Sequence, residues 1–381
     1  MDFAGQKRQR IVALDIMRGF FLFTIIVNHL YFFPSVFELL TGRGELWVSA
    51  AEGFFLISGI LVGYIYTRKM RDNARAAIGK MFRRVGLLYF WAIALTTIAL
   101  LWVHLDPGHP TKEGIWWQPN ILEYIYKVMT LQYNYGWSDF LQYYVLFMLF
   151  APLAVWLCVR GRAWLVLAAS AMIWLFRGQN FDMAWQLLFM CGIVLGYYLP
   201  RIEGWWQARS EQGRRRAMWA IYVPAGLTLL ASIFVVHGPG FIGLLGSHAP
   251  AWLTSLQPQL LDWRGTAVPH TDKWSLAPAR LVLVALWFGA LYLLVRTNER
   301  RIDRLSFGFF RRIGEVSLLV YGIHSLVVLG VHMYMPADFG FIGNTVITAI
   351  ILAAIYLAIR WRTSLRDIIR RPFRRTTVSR R

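Results

Sequence analysis

Cysteine is nearly missing from this chain: among 381 residues only Cys158 and Cys191 occur, both inside apolar runs. Two such thiols exclude a disulfide framework and a thiolate metal site, and they fit core packing. Acidic side chains are also few, 20 against 40 lysines and arginines, so the net charge is +20. Charge of both signs together reaches only 16%, whereas 57% of residues are hydrophobic. This balance excludes disorder and predicts an all-α polytopic membrane protein. No internal repeat is visible. What the chain does have in quantity is aromatic surface, with 18 Trp and 17 Tyr suited to interfacial belts.

At about 20 apolar residues per crossing, the hydropathy runs predict ten helices: 11–33, 46–66, 85–105, 138–158, 163–177, 184–200, 218–236, 277–296, 314–333 and 341–360. The first run follows a charged amino terminus as a signal peptide would. It is longer than a signal core, carries charges and lacks a small-residue cleavage site, so it reads as an uncleaved span. Residues 1–361 then form one transmembrane domain, and 362–381 a basic cytoplasmic tail. Counted on alternate sides, Lys and Arg divide 32 to seven, with Arg18 inside the first span. That asymmetry predicts both termini in the cytoplasm, and it makes the +20 a matter of topology and lipid attraction, with no nucleic-acid partner. Two long external connections follow, 106–137 and 237–276, the first containing an amphipathic stretch at 120–135.

The informative exception is the first span, IVALDIMRGFFLFTIIVNHLYFF, which carries Asp15, Arg18 and His29 in an otherwise apolar run. A charge in hydrocarbon costs about 2.5–3.5 kcal/mol even on lenient insertion scales, so such residues persist where they line a polar path or a reaction site. Eleven residues separate Arg18 from His29, which on a helix is about 16 Å of rise and about 20° of rotation, placing both on one inward face. A guanidinium suits donor phosphates, and an imidazole suits taking a proton from an acceptor hydroxyl. The plainer alternative pairs Arg18 with Asp15 and lets His29 snorkel at the outer interface.

Glu52 opens the second span near the external end, where it either orients His29, binds a substrate hydroxyl, or is a solvated span end. Asp139 and Tyr144 in the fourth span, with Gln142 and Tyr143, and Trp185 and Gln186 in the sixth, gather polar groups at one external depth. Together they predict a small pocket for a polar acceptor. His324 lies mid-span and packs inward with Tyr321. His104, His109, His237, His248, His270 and His332 fall at external edges in spacings that match no metal motif, so no metal is expected. The Gly59–Gly63 spacing fits helix packing.

LDIMRG with His29 beyond Arg18 is similar to the first-span signature of acyltransferase-3-like membrane acyltransferases. More narrowly, AAEGFFLISG, SDFLQYYVLFMLFAPLAVWL, AWQLLF and IGEVSLLVYGIH resemble segments of the OpgC family. The resemblance implies ten spans in the inner membrane and transfer of a succinyl or acetyl group from a cytoplasmic acyl-CoA-type donor to a hydroxyl of an envelope glycan. It also implies that Arg18 binds the donor and His29 is catalytic; the placement of the residues themselves, and not the resemblance, adds Glu52 as a catalytic candidate and Asp139, Tyr144, Trp185, Gln186 and His324 toward the substrate. A transporter or flippase is the rival expectation, and it predicts deep charges spread over several spans or an inverted repeat.

Overall fold

The computed structural model describes residues 10–106, 108 and 120–374; His109 and Lys112 lie outside the described residues. Among these every regular element is a helix. The amino-terminal half comprises α1 (Val12–Leu30), α2 (Val36–Thr41), α3 (Ala50–Asp72), α4 (Ala74–Leu105), α5 (Ile121–Met129), α6 (Asp139–Val159), α7 (Ala163–Trp174) and α8 (Phe181–Gln207). The remainder comprises α9 (Glu211–Leu245), α10 (Ala251–Thr254), α11 (Leu256–Ala267), α12 (Pro278–Thr297), α13 (Glu299–Leu305), α14 (Phe309–Glu315), α15 (Ser317–Tyr334) and α16 (Gly340–Arg374). Nine of the described helices are long and apolar enough to cross a membrane.

The tenth predicted span, 163–177, is α7, and its 12 residues rise only about 18 Å against a hydrocarbon core of about 30 Å. It still returns the chain along the bundle. Gly59 meets Phe189 and, one turn on, Gly63 meets Ile193, while Tyr143 packs on Phe181 and, one turn further along α6, Phe147 packs on Phe189, so α3, α6 and α8 run parallel. The segment joining α6 to α8 therefore has to travel back, and bonds from Ser170 to Gln186 and from Trp174 to the Leu276 carbonyl hold α7 along that route.

Other boundaries differ because hydropathy stops where charge begins while the backbone hydrogen bonds do not. α4 starts at Ala74 instead of 85, capped by Asn73 Oδ1, which accepts from the Ala76 amide at 2.9 Å. α16 continues to Arg374, so the first part of the basic tail is helical. The amphipathic stretch 120–135 contains α5, capped by Asn120.

Two close backbone contacts set the frame. On α3 and α8, a Cβ added at Gly59 or Gly63 would collide with the carbonyls of Phe189 and Ile193, and one at Gly192 or Gly196 with those of Leu56 and Ile60. Glycine on both partners lets the two backbones touch, as small-residue stripes do in lipid, where burial of apolar surface drives nothing. On α1 and α14, Gly19 and Gly314 do the same against the carbonyls of Phe310 and Asp15. The charged first span is thereby surrounded by helices, and both Arg18 and His29 face protein.

Candidate active site

Arg18 projects from α1 into a cavity of about 830 Å³ that it shares with Arg10, Arg68, Lys69 and Arg84. Ser58, Tyr66 and Tyr144 also line it, and Asp15 and Asp72 supply its carboxylates. Asp15 does not pair with Arg18. Its Oδ2 accepts from Arg10 Nε at 2.5 Å, whereas Arg18 Nη1 donates to the Gly314 carbonyl at 3.3 Å. One long backbone bond leaves most of the five guanidinium donors for a ligand, and five cations around two carboxylates make the cavity an anion site.

The cavity narrows inward. Arg18, Ser58, Arg84 and Tyr144 also line a slot that continues to Phe140, Ser317 and Tyr321. The Tyr321 ring lies 4.9 Å from that of His324, one turn along α15. His324 is fully buried, and its Nε2 stands 2.9 Å from Nδ1 of His29. The phosphate-sized end of the path and the histidine pair are thus joined by one line of side chains.

The tautomers of the pair follow from a neighbouring carbonyl. His324 Nδ1 is 2.8 Å from the Tyr321 carbonyl oxygen, which can only accept, so Nδ1 carries the proton. In the neutral pair His324 Nε2 is then an acceptor, and His29 Nδ1–H donates to it. The lone pair of His29 is left on Nε2, which makes no hydrogen bond among the described residues. A base whose second nitrogen is fixed by a donor–acceptor partner is held in one tautomer and one orientation.

Around His29 the walls are aromatic. Trp137, from the short turn Gly136–Ser138 before α6, sits 4.4 Å from His29 centroid to centroid, and it also packs on His332 at 5.3 Å. Ser325 Oγ donates to the Trp137 carbonyl at 2.9 Å, tying this turn to α15 next to His324. Neither Trp137 nor Ser325 stands out in the sequence, because a Trp in an external loop reads as a membrane-belt residue.

The other predicted site residues lie elsewhere. Glu52 is fully buried, but both oxygens are engaged: Oε1 accepts from Arg280 Nε at 2.5 Å, and Oε2 from the Ser49 amide at 3.0 Å and from Ser49 Oγ. The expectation that it orients His29 or meets a sugar gives way to a capping box on α3 joined to a buried ion pair with α12. Arg280, 3% exposed, is one of the seven cations that the charge count places outside, since it stands two residues past Pro278 at a span end; a buried carboxylate in need of a counter-charge is the signal for it.

Gln186 also departs from the expected acceptor pocket. Its Oε1 accepts from Ser170 Oγ at 2.6 Å and its Nε2 donates to the Ser170 carbonyl at 2.8 Å, so it fastens α8 to α7. Trp185 is buried and its Nε1 donates to the Lys273 carbonyl at 3.1 Å. With Arg280 Nη1 on Thr271 and Trp174 on Leu276, three side chains grip the carbonyls of the 271–276 loop. Tyr144 lines the wide cavity with Arg18 and not the outer cluster where it was expected. Asp139 is exposed at the start of α6, two residues after Trp137. No group of three or more metal-ligating side chains occurs among the described residues.

A helical bundle with a cation-lined cavity at one depth and a hydrogen-bonded histidine pair at another defines a polytopic membrane protein with a polar path inside its own bundle. The chain belongs to the OpgC protein family, whose profile matches residues 10–367, nearly its whole length. At the level of the family this means membrane-associated acyl transfer to glycans. Searches of curated proteins and of solved structures returned no match.

Proposed function

We propose that the protein is an O-acyltransferase that takes an acyl group from a cytoplasmic acyl-CoA-type thioester and places it on a hydroxyl of an envelope glycan. The observation that carries this reading is the continuity from the Arg18 cavity to the His29–His324 pair. Donor phosphates bind among Arg18, Arg68, Lys69 and Arg84, and the thioester arm runs past Tyr144 and Tyr321 to the histidines. The distance suits a donor whose reactive carbonyl lies at the end of an extended chain, since Arg18 and His29 are about 16 Å apart along α1.

His29 Nε2 accepts the proton of the acceptor hydroxyl as its oxygen attacks the thioester carbonyl. The resulting imidazolium keeps its Nδ1–H on His324, which shares the charge. The C–S bond breaks, and the proton held on His29 goes to the departing thiolate. The reaction thereby ends with ester, free thiol and the original tautomers. Glu52 has no part in these steps.

The 32-to-seven charge division supports both termini, and with them the cavity mouth near residues 67–84, on the cytoplasmic side of the inner membrane. Succinyl and acetyl remain the acyl groups proposed, and the bilayer, the donor and the glycan are the partners. Mass spectrometry of envelope glycans tests the reading. Cells carrying the intact chain should show an ester-linked acyl mass that cells without it lack, and identical spectra would leave a transporter or flippase as the better reading.

A further inference from the structure

Trp137 carries an unused donor. Its indole N–H has no hydrogen-bond partner among the described residues, although the side chain is only 8% exposed and a buried indole normally finds one. The ring lies between His29 at 4.4 Å and His332 at 5.3 Å, beside the base itself. Beside it stands Tyr31, 5.9 Å away and 60% exposed. Tyr31 follows α1 directly with φ +58°, a left-handed conformation that a bulky aromatic residue rarely takes. That backbone turn directs the ring toward Trp137 and His332, which it meets edge to face, instead of continuing the helix.

Membrane-belt anchoring does not account for this arrangement. A belt tryptophan puts its ring in the headgroup layer and its N–H in water, while Trp137 is packed inside, its carbonyl bonded to Ser325 Oγ. What this corner of the bundle offers is an exposed Tyr31 ring, an indole N–H on Trp137 with no partner among the described residues, and an adjacent imidazole lone pair. A pyranose ring supplies the complement: apolar C–H faces for the rings, a ring or hydroxyl oxygen for the indole N–H, and a hydroxyl for His29 Nε2.

We infer that Tyr31 and Trp137 form the acceptor subsite, in which a pyranose of the acceptor lies against the aromatic faces and accepts a hydrogen bond from the Trp137 indole, with one hydroxyl turned to His29. The inference rests on the acyltransferase reading. It moves acceptor recognition away from Trp185 and Gln186, whose polar groups are engaged within the protein. Trp137 is an acceptor-binding residue and transfers no proton.

The test uses purified full-length protein in lipid nanodiscs, with acyl-CoA as donor and, as acceptor, the oligosaccharide pool extracted from envelopes of cells lacking the protein. Trp137→Phe keeps a ring and loses the N–H; it should raise the acceptor KM about tenfold, as the loss of one hydrogen bond allows. Trp137→Ala should raise it further. Tyr31→Ala, at a position 60% exposed, should raise it in the same direction. Donor affinity should stay at the wild-type value in all three, because the Arg18 chamber is untouched. An unchanged acceptor KM in Trp137→Phe and Tyr31→Ala, or a loss confined to kcat, would overturn the subsite and leave Trp137 as packing for His29. If the wild-type protein transfers no acyl group, or His29→Ala transfers it normally, the acyltransferase reading itself fails.

Discussion

The two ends of α1 are built in opposite ways. Around Arg18 the bundle is open, with about 830 Å³ of space, five cations and hydroxyl-bearing side chains. Around His29 it is tighter, with two imidazoles 2.9 Å apart and the Trp137 ring against His29. A wide cationic chamber accommodates a large, highly charged group held by many weak contacts, which suits a donor's nucleotide end. A tight site with one oriented lone pair holds few atoms and fixes them well, which suits bond making. One helix thus separates binding from chemistry by about 16 Å, and each variant below should disturb one end while sparing the other.

The largest effect belongs to the tighter end. His29→Ala should slow acyl transfer by about 10²–10⁴-fold, the range for a lost general base. Donor affinity, measured by equilibrium binding to the same nanodiscs, should change less than twofold because the Arg18 chamber is untouched.

Glu52→Ala should next show that a buried carboxylate near an active site can be purely structural. It leaves Arg280 buried without its partner and removes the α3 cap, a loss of about 3–5 kcal/mol. Thermal unfolding in detergent should fall sharply, and whatever protein remains folded should retain wild-type acceptor KM.

Arg18→Ala should raise the donor KM roughly ten- to hundredfold, as loss of one or two charge-assisted bonds allows. Its kcat at saturating donor should stay within a few-fold, the reverse of the His29→Ala pattern. Gln186→Ala gives the smallest effect. It loses bonds to Ser170 between α7 and α8, for about 1 kcal/mol or less of stability, and its acceptor KM should match wild type.

Most of the helices could be read from hydropathy, because a run of apolar residues in lipid has to satisfy its backbone internally and a helix does so. The charged residues of α1 were legible for the same reason, since Arg18 and His29 are conspicuous in hydrocarbon. What stayed hidden is the partnership between distant segments. Glu52 looked available because nothing local reveals Arg280, 228 residues later, and Gln186 looked like a sugar ligand because Ser170 sits on a short helix with no polar signal. Tyr144 was placed too far out, since the depth of a residue in a span depends on where the helix begins and on its tilt. His324 was visible as a mid-span histidine, but its contact with His29 joins residues 295 apart and depends on α1 and α15 packing side by side. Trp137 was hidden by composition, being one of 18 tryptophans.

The pairing of His29 with His324 is the central claim, and a double-mutant cycle on acyl transfer tests it most directly. Residues acting as one unit give strongly non-additive losses. His324→Ala alone should reduce kcat by releasing the His29 tautomer and ring orientation, and adding it to His29→Ala should cost nothing further. Losses that multiply in the double variant, or a His324→Ala protein with wild-type kcat, would contradict the account.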